Sequence, residues 1–361
     1  MPLLWTAISS HGYGHAAQVV PVLNELGRRR PDLRAVLRTH VPRAFFESRL
    51  TLPWELSPSH VDVGCLQHGP LTMDWPATWR AHHDFHATWK DRLHAEVSAI
   101  RQAQADLVLS NTSYLALAAG AAARLPTIAL ASLSWDEILR DHVDPAHPWQ
   151  ADLLATMRHA YADASLLLRI APGLAMSAFS RATDIGPIAS PLPADREQLR
   201  DVLGLEAHDK LILVAFGGIR LTSLPFAHME SMEGLHFLID EPPPPGSKQI
   251  HTFAGLPLPF STLLSSVDVI MTKPGYGTVI EAVATQTPVV YVRRYSFADE
   301  QPIVEYLQRY GRSLELSRKD FEQPRWEGAL RQALSLPPST VPPPPITGPS
   351  EAADYLESLL G

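Results

Sequence analysis

Short apolar runs alternate with longer amphipathic stretches along this chain, and the alternation predicts strands and helices in turn. Residues 3–9 read as a buried strand and residues 16–29 as a helix, with Val19, Val20, Leu23 and Leu26 on one face. The loop between them is Ser10-His11-Gly12-Tyr13-Gly14-His15. Residues 35–39 predict a second strand and 52–67 a strand with loop. Residues 76–104 predict one long helix, because Trp79, Phe85, Trp89, Leu93, Val97 and Ile100 fall at helical spacing. A strand over 106–110, an alanine-rich helix over 114–124 and a strand over 126–131 follow. Strands and helices in this order predict a parallel sheet covered on both faces.

The pattern breaks over 177–195, where Pro187, Pro191 and Pro193 stand among small residues, and an interdomain linker is expected there. Beyond it a helix over 196–203 leads into a strand over 210–216 that ends at Gly217-Gly218-Ile219-Arg220. Further strands are expected over 235–239, 251–253, 267–271 and 288–293. The two halves therefore look like repeats of one doubly wound α/β architecture, facing each other across a cleft. The expected division is an N-terminal domain over 1–190, a C-terminal domain over 191–345 and a closing helix within 346–361. That helix, over 351–360, follows a proline-rich crossing and is expected to pack back on the body.

The densest stretch is 267–281. A β-branched run over 267–270 meets Lys273-Pro274-Gly275-Tyr276-Gly277, which requires a turn, and a helix is expected to start at Thr278. Thr278 and Glu281 have capping-box spacing. Strand, glycine turn and helix N-terminus together form an anion site in principle, with Gly275 and Gly277 admitting a phosphate to free N–H groups. An ordinary tight connection between strand and helix satisfies the same pattern.

Composition narrows the function classes. The 361 residues exceed what one core usually supports, so two domains are expected. With 38 acidic against 30 basic residues the net charge is -8, and no basic footprint for nucleic acid exists. Cys65 is the single cysteine, which excludes an internal disulfide framework. No apolar run is long enough to span a bilayer, and Met1 runs straight into the first strand without a charged leader. A cytoplasmic protein is the expectation.

Three stretches then carry a resemblance. His11-Gly-Tyr-Gly-His15-Ala16, Leu133-Ser-Trp-Asp136, and Lys273 to Glu281 continuing through Val292-Arg-Arg-Tyr295 to Glu300 resemble nucleotide-sugar glycosyltransferases of the two-Rossmann-domain (GT-B) fold. Within that superfamily the chain is most similar to the glycosyltransferase-like domain that precedes the kinase in plant L-arabinokinases. No kinase domain is expected after Gly361. The resemblance implies a nucleotide-diphosphate-sugar donor, a UDP-sugar first among them, held by the second domain, with no further cofactor or metal required.

By the same resemblance Lys273, Gly275, Tyr276, Gly277 and Thr278 lie near the diphosphate, and Glu281 binds the ribose hydroxyls. Gly217 and Gly218 let the opposing loop approach the donor, with Arg220 as a phosphate partner or a surface charge. Glu300 and Gln301 read sugar hydroxyls or merely begin a helix. Arg293 and Arg294 leave a strand at the cleft edge, one of them at the surface. His15 matches the histidine used as general base on the acceptor hydroxyl, and His11 is the second choice. A histidine at a helix N-terminus is kept neutral by the dipole, as a base must be. The carboxylate that commonly orients this histidine is replaced by Asn111, and Asp136 is a candidate substitute.

Two histidines four apart, His82 and His86, share a helix face but are too few for zinc unless Asp62 or His94 joins them. A solvated face over Trp79 and Trp89 is the expectation. Trp75, Trp79 and Trp89 line an acceptor pocket or belong to the core. Beside a glycosyltransferase-like enzyme with an unidentified acceptor, the sequence leaves open a GT-B epimerase or hydrolase and a nucleotide-sugar-binding regulatory module. Fold alone does not choose among them, nor does it set the oligomeric state.

Overall fold

The computed structural model describes residues 1–217, 221 and 224–360. Thirteen strands among them form two sheets. The first contains β1 (Leu3–Ile8), β2 (Arg34–Arg38), β3 (Trp54–Ser57), β4 (Leu107–Asn111), β5 (Thr127–Ala131), β6 (Leu166–Ile170) and β7 (Ala182–Ile185). The second contains β8 (Lys210–Val214), β9 (Leu235–Ile239), β10 (Ile250–Thr252), β11 (Val269–Thr272), β12 (Val289–Tyr291) and β13 (Ser313–Glu315). Strand order is β3-β2-β1-β4-β5-β6-β7 in one and β10-β9-β8-β11-β12-β13 in the other, and the strand pairs are parallel. Each sheet thus winds outward in both directions from its first strand. The points of reversal, between β1 and β4 and between β8 and β11, are where such sheets open a crevice at their carboxyl ends.

Both sheets are buried on two faces, as their unbroken apolar strands require. Leu4 and Ile8 belong to a core that packs the helix Gly14–Arg29 through Val19, Leu23 and Leu26. The closing helix, Gly348–Leu359, lies across that same helix, burying Ala352, Ala353 and Leu356. Arg29 ties the two together by donating to the Ser350 hydroxyl (2.7 Å) and standing 3.5 Å from Glu357. Among the described residues, no helix is long and apolar enough to cross a membrane.

The structure departs from the sequence expectations at several points. The long helix over 76–104 is two helices, Trp75–Ala87 and Trp89–Ala103, because the backbone leaves helical geometry at Thr88 (φ -114°, ψ 25°). Periodicity survives the break and so concealed it. The expected linker contains β7, leaving residues 186–195 as the connection. The short helices Trp135–Arg140 and Arg43–Glu47, the helix Pro148–Ala162 and β6 went unread. His82 is fully buried rather than solvated: its Nε2 meets the Gly64 carbonyl at 2.9 Å, and burial pulls its pKa down to about 4. His86 Nε2 instead meets the Tyr114 hydroxyl at 3.0 Å, and its ring stacks on Trp89. No group of three metal-ligating side chains occurs among the described residues.

The closing helix is held by a backbone approach that tolerates no side chain. A Cβ at Gly348 would lie 2.3 Å from the Gly186 carbonyl oxygen, a rigid neighbour. Gly348→Ala is therefore expected to cost about 1–3 kcal/mol, the usual range for overpacking, read as a lower denaturation midpoint. A wild-type midpoint would mean that this helix does not depend on the contact.

Candidate functional site

At the first reversal point, β1 and β4 pair with Ile8 opposite Asn111, so the loop after β1 and the end of β4 emerge side by side. The helix Gly14–Arg29 begins directly after the loop, which puts His15 in its first turn. His15 is almost wholly buried, and its Nδ1 lies 2.7 Å from Asn111 Oδ1. The asparagine amide is oriented independently, because its Nδ2 donates to Gln18 Oε1 (3.0 Å) and to the Leu130 carbonyl (2.7 Å). Gln18 is fixed in turn by its own donation to the Ser132 hydroxyl at 2.9 Å. Oδ1 is thus left as the acceptor, so Nδ1 carries the ring proton and Nε2 is a bare acceptor. Burial pulls the His15 pKa down to about 4, against the opposing pull of the Asn111 hydrogen bond.

His11 stands beside it, with ring centroids 6.4 Å apart. Trp135 packs against both, edge-on to His11 at 5.3 Å and tilted against His15 at 5.7 Å. The Ser-Trp-Asp stretch therefore meets the histidines through its tryptophan. Asp136 does not substitute for the missing carboxylate: it accepts from Arg158 Nη1 at 2.9 Å and from the Ser134 hydroxyl at 2.6 Å. A different carboxylate, Asp62, underlies the loop. It accepts from Trp135 Nε1 (2.9 Å) and from the hydroxyls of Ser9 (3.0 Å) and Thr112 (3.3 Å). Burial nevertheless pushes it up to about 6. Its sequence signal was slight, one acid within the apolar run Val61 to Cys65.

The second reversal point supplies the facing wall. Gly217 follows β8 in left-handed backbone (φ +74°), and a Cβ there would stand 3.6 Å from Lys273 Nζ. Gly218 and Arg220 lie outside the described residues. The helix after β11 is Tyr276–Thr285 with Gly275 as its N-cap, so it starts two residues before Thr278. The capping box is thereby overturned: Thr278 is already in the first turn and Glu281 one turn further in. Neither Gly275 nor Gly277 has positive φ, and a Cβ at either would meet no atom closer than 3.9 Å. The packing of the chain itself does not demand glycine at these two positions.

Tyr276 turns away from this wall. Its hydroxyl donates to the Ala171 carbonyl at 2.8 Å and accepts from the Ile188 N–H at 3.0 Å, tying the second domain to the first. Glu281 sits between the Ser261 hydroxyl and the Ser190 backbone, with its carboxyl raised by burial. Lys273 lies within electrostatic reach of Arg294, Asp299 and Glu300, and burial lowers its pKa first, Arg294 next.

The loop after β12 crosses to the first domain. Phe297 is buried in that domain's core, stacks on His11 (6.2 Å, 20°) and lies under the Arg294 guanidinium at 4.1 Å. Ser296 accepts from His142 at 2.9 Å, which fixes the crossing from the other side. Glu300 is wholly buried and accepts from the Arg294 backbone N–H (2.8 Å) and Nε (2.5 Å), so it holds the loop and has no face for a ligand. Gln301 is exposed, bonded to Arg293 and Glu305. Their neighbour Asp299 has its Oδ1 buried without a hydrogen-bond partner, 3.6 Å from Arg294 Nη2. Burial raises its pKa, with Arg294 opposing.

His11, Asp62, Lys273 and Asp299 are each half-buried, with protein packed closely around them. The structure brings together His11, His15, Asn111, Gly217 and Lys273, and adds Asp299, Trp135 and Phe297. It leaves Asp136, Tyr276, Glu300 and Gln301 in structural contacts. Trp75 stacks on His142 and Trp79 is buried, while Trp89 lines a separate open hollow with His83 and Trp149.

No protein-family model matches the chain. Its sequence is 27% identical over 341 residues to L-arabinokinase of Arabidopsis thaliana, an alignment covering 92% of this chain and 32% of that protein. The chain thus spans about a third of the length of the curated relative it matches. Among solved structures, S. aureus MnaA with UDP superposes with a TM-score of 0.62 at 13% identity, covering 100% of this chain and 97% of that one. The glycotransferase of kitacinnamycin gives 0.60 at 17% identity over the whole of both chains. Two parallel doubly wound sheets meeting at their reversal points give this chain the GT-B fold of nucleotide-sugar glycosyltransferases, and nearly its whole sequence is similar to part of a plant L-arabinokinase.

Proposed function

We propose that the chain is a cytoplasmic glycosyltransferase-like enzyme that uses a nucleotide-diphosphate sugar, with UDP as the favoured nucleotide. The observation that carries this reading is His15: a neutral imidazole whose Nδ1 proton is committed to Asn111, whose Nε2 is a bare acceptor, and which stands beside His11, itself within electrostatic reach of Lys273. In the proposed reaction the acceptor enters over the first domain, residues 1–190, and the donor lies on the second, residues 191–345. His15 Nε2 takes the proton of an acceptor hydroxyl as that oxygen bonds to the anomeric carbon, and the diphosphate leaves with the bonding electrons.

Lys273 and the N-terminal N–H groups of the helix Tyr276–Thr285 stabilise the leaving charge. Gly275, Gly277 and Gly217 give the phosphates room to approach, Glu281 takes the ribose hydroxyls, and Asp299 takes a sugar hydroxyl on its Oδ1, which has no hydrogen-bond partner within the chain. MnaA, whose structure holds UDP, supports the choice of nucleotide through the shared fold. One observation favours a second reading. Asn111 gives the imidazolium no counter-charge, as a nucleotide-sugar-binding module without transfer would tolerate.

Turnover separates the two. His15→Ala is expected to lower kcat at least 100-fold while leaving UDP affinity within about threefold, since the histidine acts on the acceptor. Equal turnover in the variant would remove His15 as base, and no donor turnover by the wild type would favour the module. The pH profile adds a signed test. A base held neutral down to about 4 leaves activity flat through mildly acid pH, with loss only as pH falls toward that value. Asn111→Asp places a negative charge on the imidazolium, raises the His15 pKa and is expected to move the acid limb to higher pH. Lys273→Ala is expected to weaken UDP binding about 10- to 100-fold in titration calorimetry, the loss of one charged hydrogen bond. Unchanged affinity would place the diphosphate elsewhere.

A further inference from the structure

The loop His11 to His15 holds two imidazoles, and the chain has built a separate partner for each. Asn111 settles His15. For His11 the partner is a main-chain amide: the Cys65 N–H donates to His11 Nδ1 at 3.3 Å. This approach is constructed rather than incidental. Gly64 adopts left-handed backbone (φ +70°), and a Cβ there would fall 2.7 Å from His11 Cβ. Only glycine lets the 63–65 turn lie this close against the ring. From behind, the Gly64 carbonyl is held by the buried His82 Nε2 at 2.9 Å. The turn is thus clamped between two histidines, with its next N–H aimed at one of them.

A ring nitrogen that accepts a hydrogen bond does not carry the proton, so neutral His11 is the Nε2–H tautomer. Its lone pair is spent on Cys65 and its free edge is a donor. Neutrality is enforced first by burial; a proton on His15 would disfavour an imidazolium further, and the Lys273 and Arg294 cations also disfavour it. The same cations favour an anion at the free edge. Trp135 and Phe297 pack the ring from two sides, so it does not turn to exchange its nitrogens.

We propose that His11 and His15 are a donor–acceptor pair of opposite tautomers, in which His11 Nε2–H grips an oxygen of the donor's diphosphate together with Lys273. His15 alone is left to take the acceptor proton. This assignment rests on the nucleotide-sugar reading above and gives His11 a role distinct from a reserve base. No proton transfer passes through His11: it donates the same hydrogen bond before and after the bond to the diphosphate breaks.

The test has two arms. Nitrogen NMR of the full chain labelled with 15N-histidine distinguishes the tautomers, the two rings being assigned from the signals missing in His11→Gln and His15→Gln. His11 is expected with its proton on Nε2 and His15 with its proton on Nδ1. A His11 proton on Nδ1 would overturn the proposal whatever the ligand. In the second arm UDP is titrated against variants. Gln places an amide near the Nε2 position, whereas Asn reaches only the Nδ1 position and keeps the Cys65 contact without the distal donor. His11→Gln is expected to hold UDP within about threefold of wild type and His11→Asn to lose about tenfold, the worth of one charge-assisted hydrogen bond. Equal affinity of the Asn and Gln variants would contradict the grip. Absence of UDP binding by the wild type would sink the nucleotide-sugar reading and the ligand named here, while the tautomer spectrum reports separately on the donor edge of His11.

Discussion

Everything in this molecule that resembles a site depends on one constraint, the reversal of winding at the first strand of each sheet. In a parallel sheet the connections leave from carboxyl ends, and where neighbouring strands send theirs to opposite faces no helix covers the gap. β1 with β4 and β8 with β11 make that gap twice. The histidine loop and Asn111 rise from the first gap, Gly217 and Lys273 from the second. Setting the gaps against each other encloses a polar crevice between two otherwise apolar cores.

The crevice is kept in register by side chains that the chemistry does not use. The Tyr276 hydroxyl bridges Ala171 and Ile188, Arg318 donates to the Leu71 carbonyl (3.1 Å) and the Thr72 hydroxyl (2.7 Å), and Phe297 is seated in the first domain's core. Behind Phe297 the buried Arg294–Glu300 pair fixes the loop that carries it. An ion pair so fully buried gives little net stability, because desolvation offsets attraction, but losing one partner leaves an uncompensated charge. Its value here is positional: the same guanidinium stands 3.6 Å from Asp299 Oδ1, while Gln301 faces solvent.

The fold was legible in the sequence because apolar strands and amphipathic helices alternate with little interruption, and the glycine turns after β8 and β11 mark the carboxyl edge. The candidate site was legible where local geometry determined which residues stand together. His15, Lys273 and Gly217 follow directly from strands whose ends are fixed by their own hydrophobic runs. Sequence pattern failed where a side chain's partner is far along the chain. Asp136 and Asp62 are both acids near apolar residues, yet Arg158 claims one and Trp135 the other. Glu300 and Asp299 are adjacent and chemically alike, and only the three-dimensional position of Arg294 tells them apart. Tyr276 sits inside the glycine motif but answers to the linker.

The central claim is that one ligand, a nucleotide diphosphate, touches both walls of the crevice at once. Amide hydrogen exchange of the whole protein with and without saturating UDP tests it most directly, since the walls come from segments far apart in sequence. The account predicts slowed exchange in residues 9–16 of the first domain together with residues 272–278 and 294–300 of the second. Protection confined to one domain, or no protection at all, would contradict it.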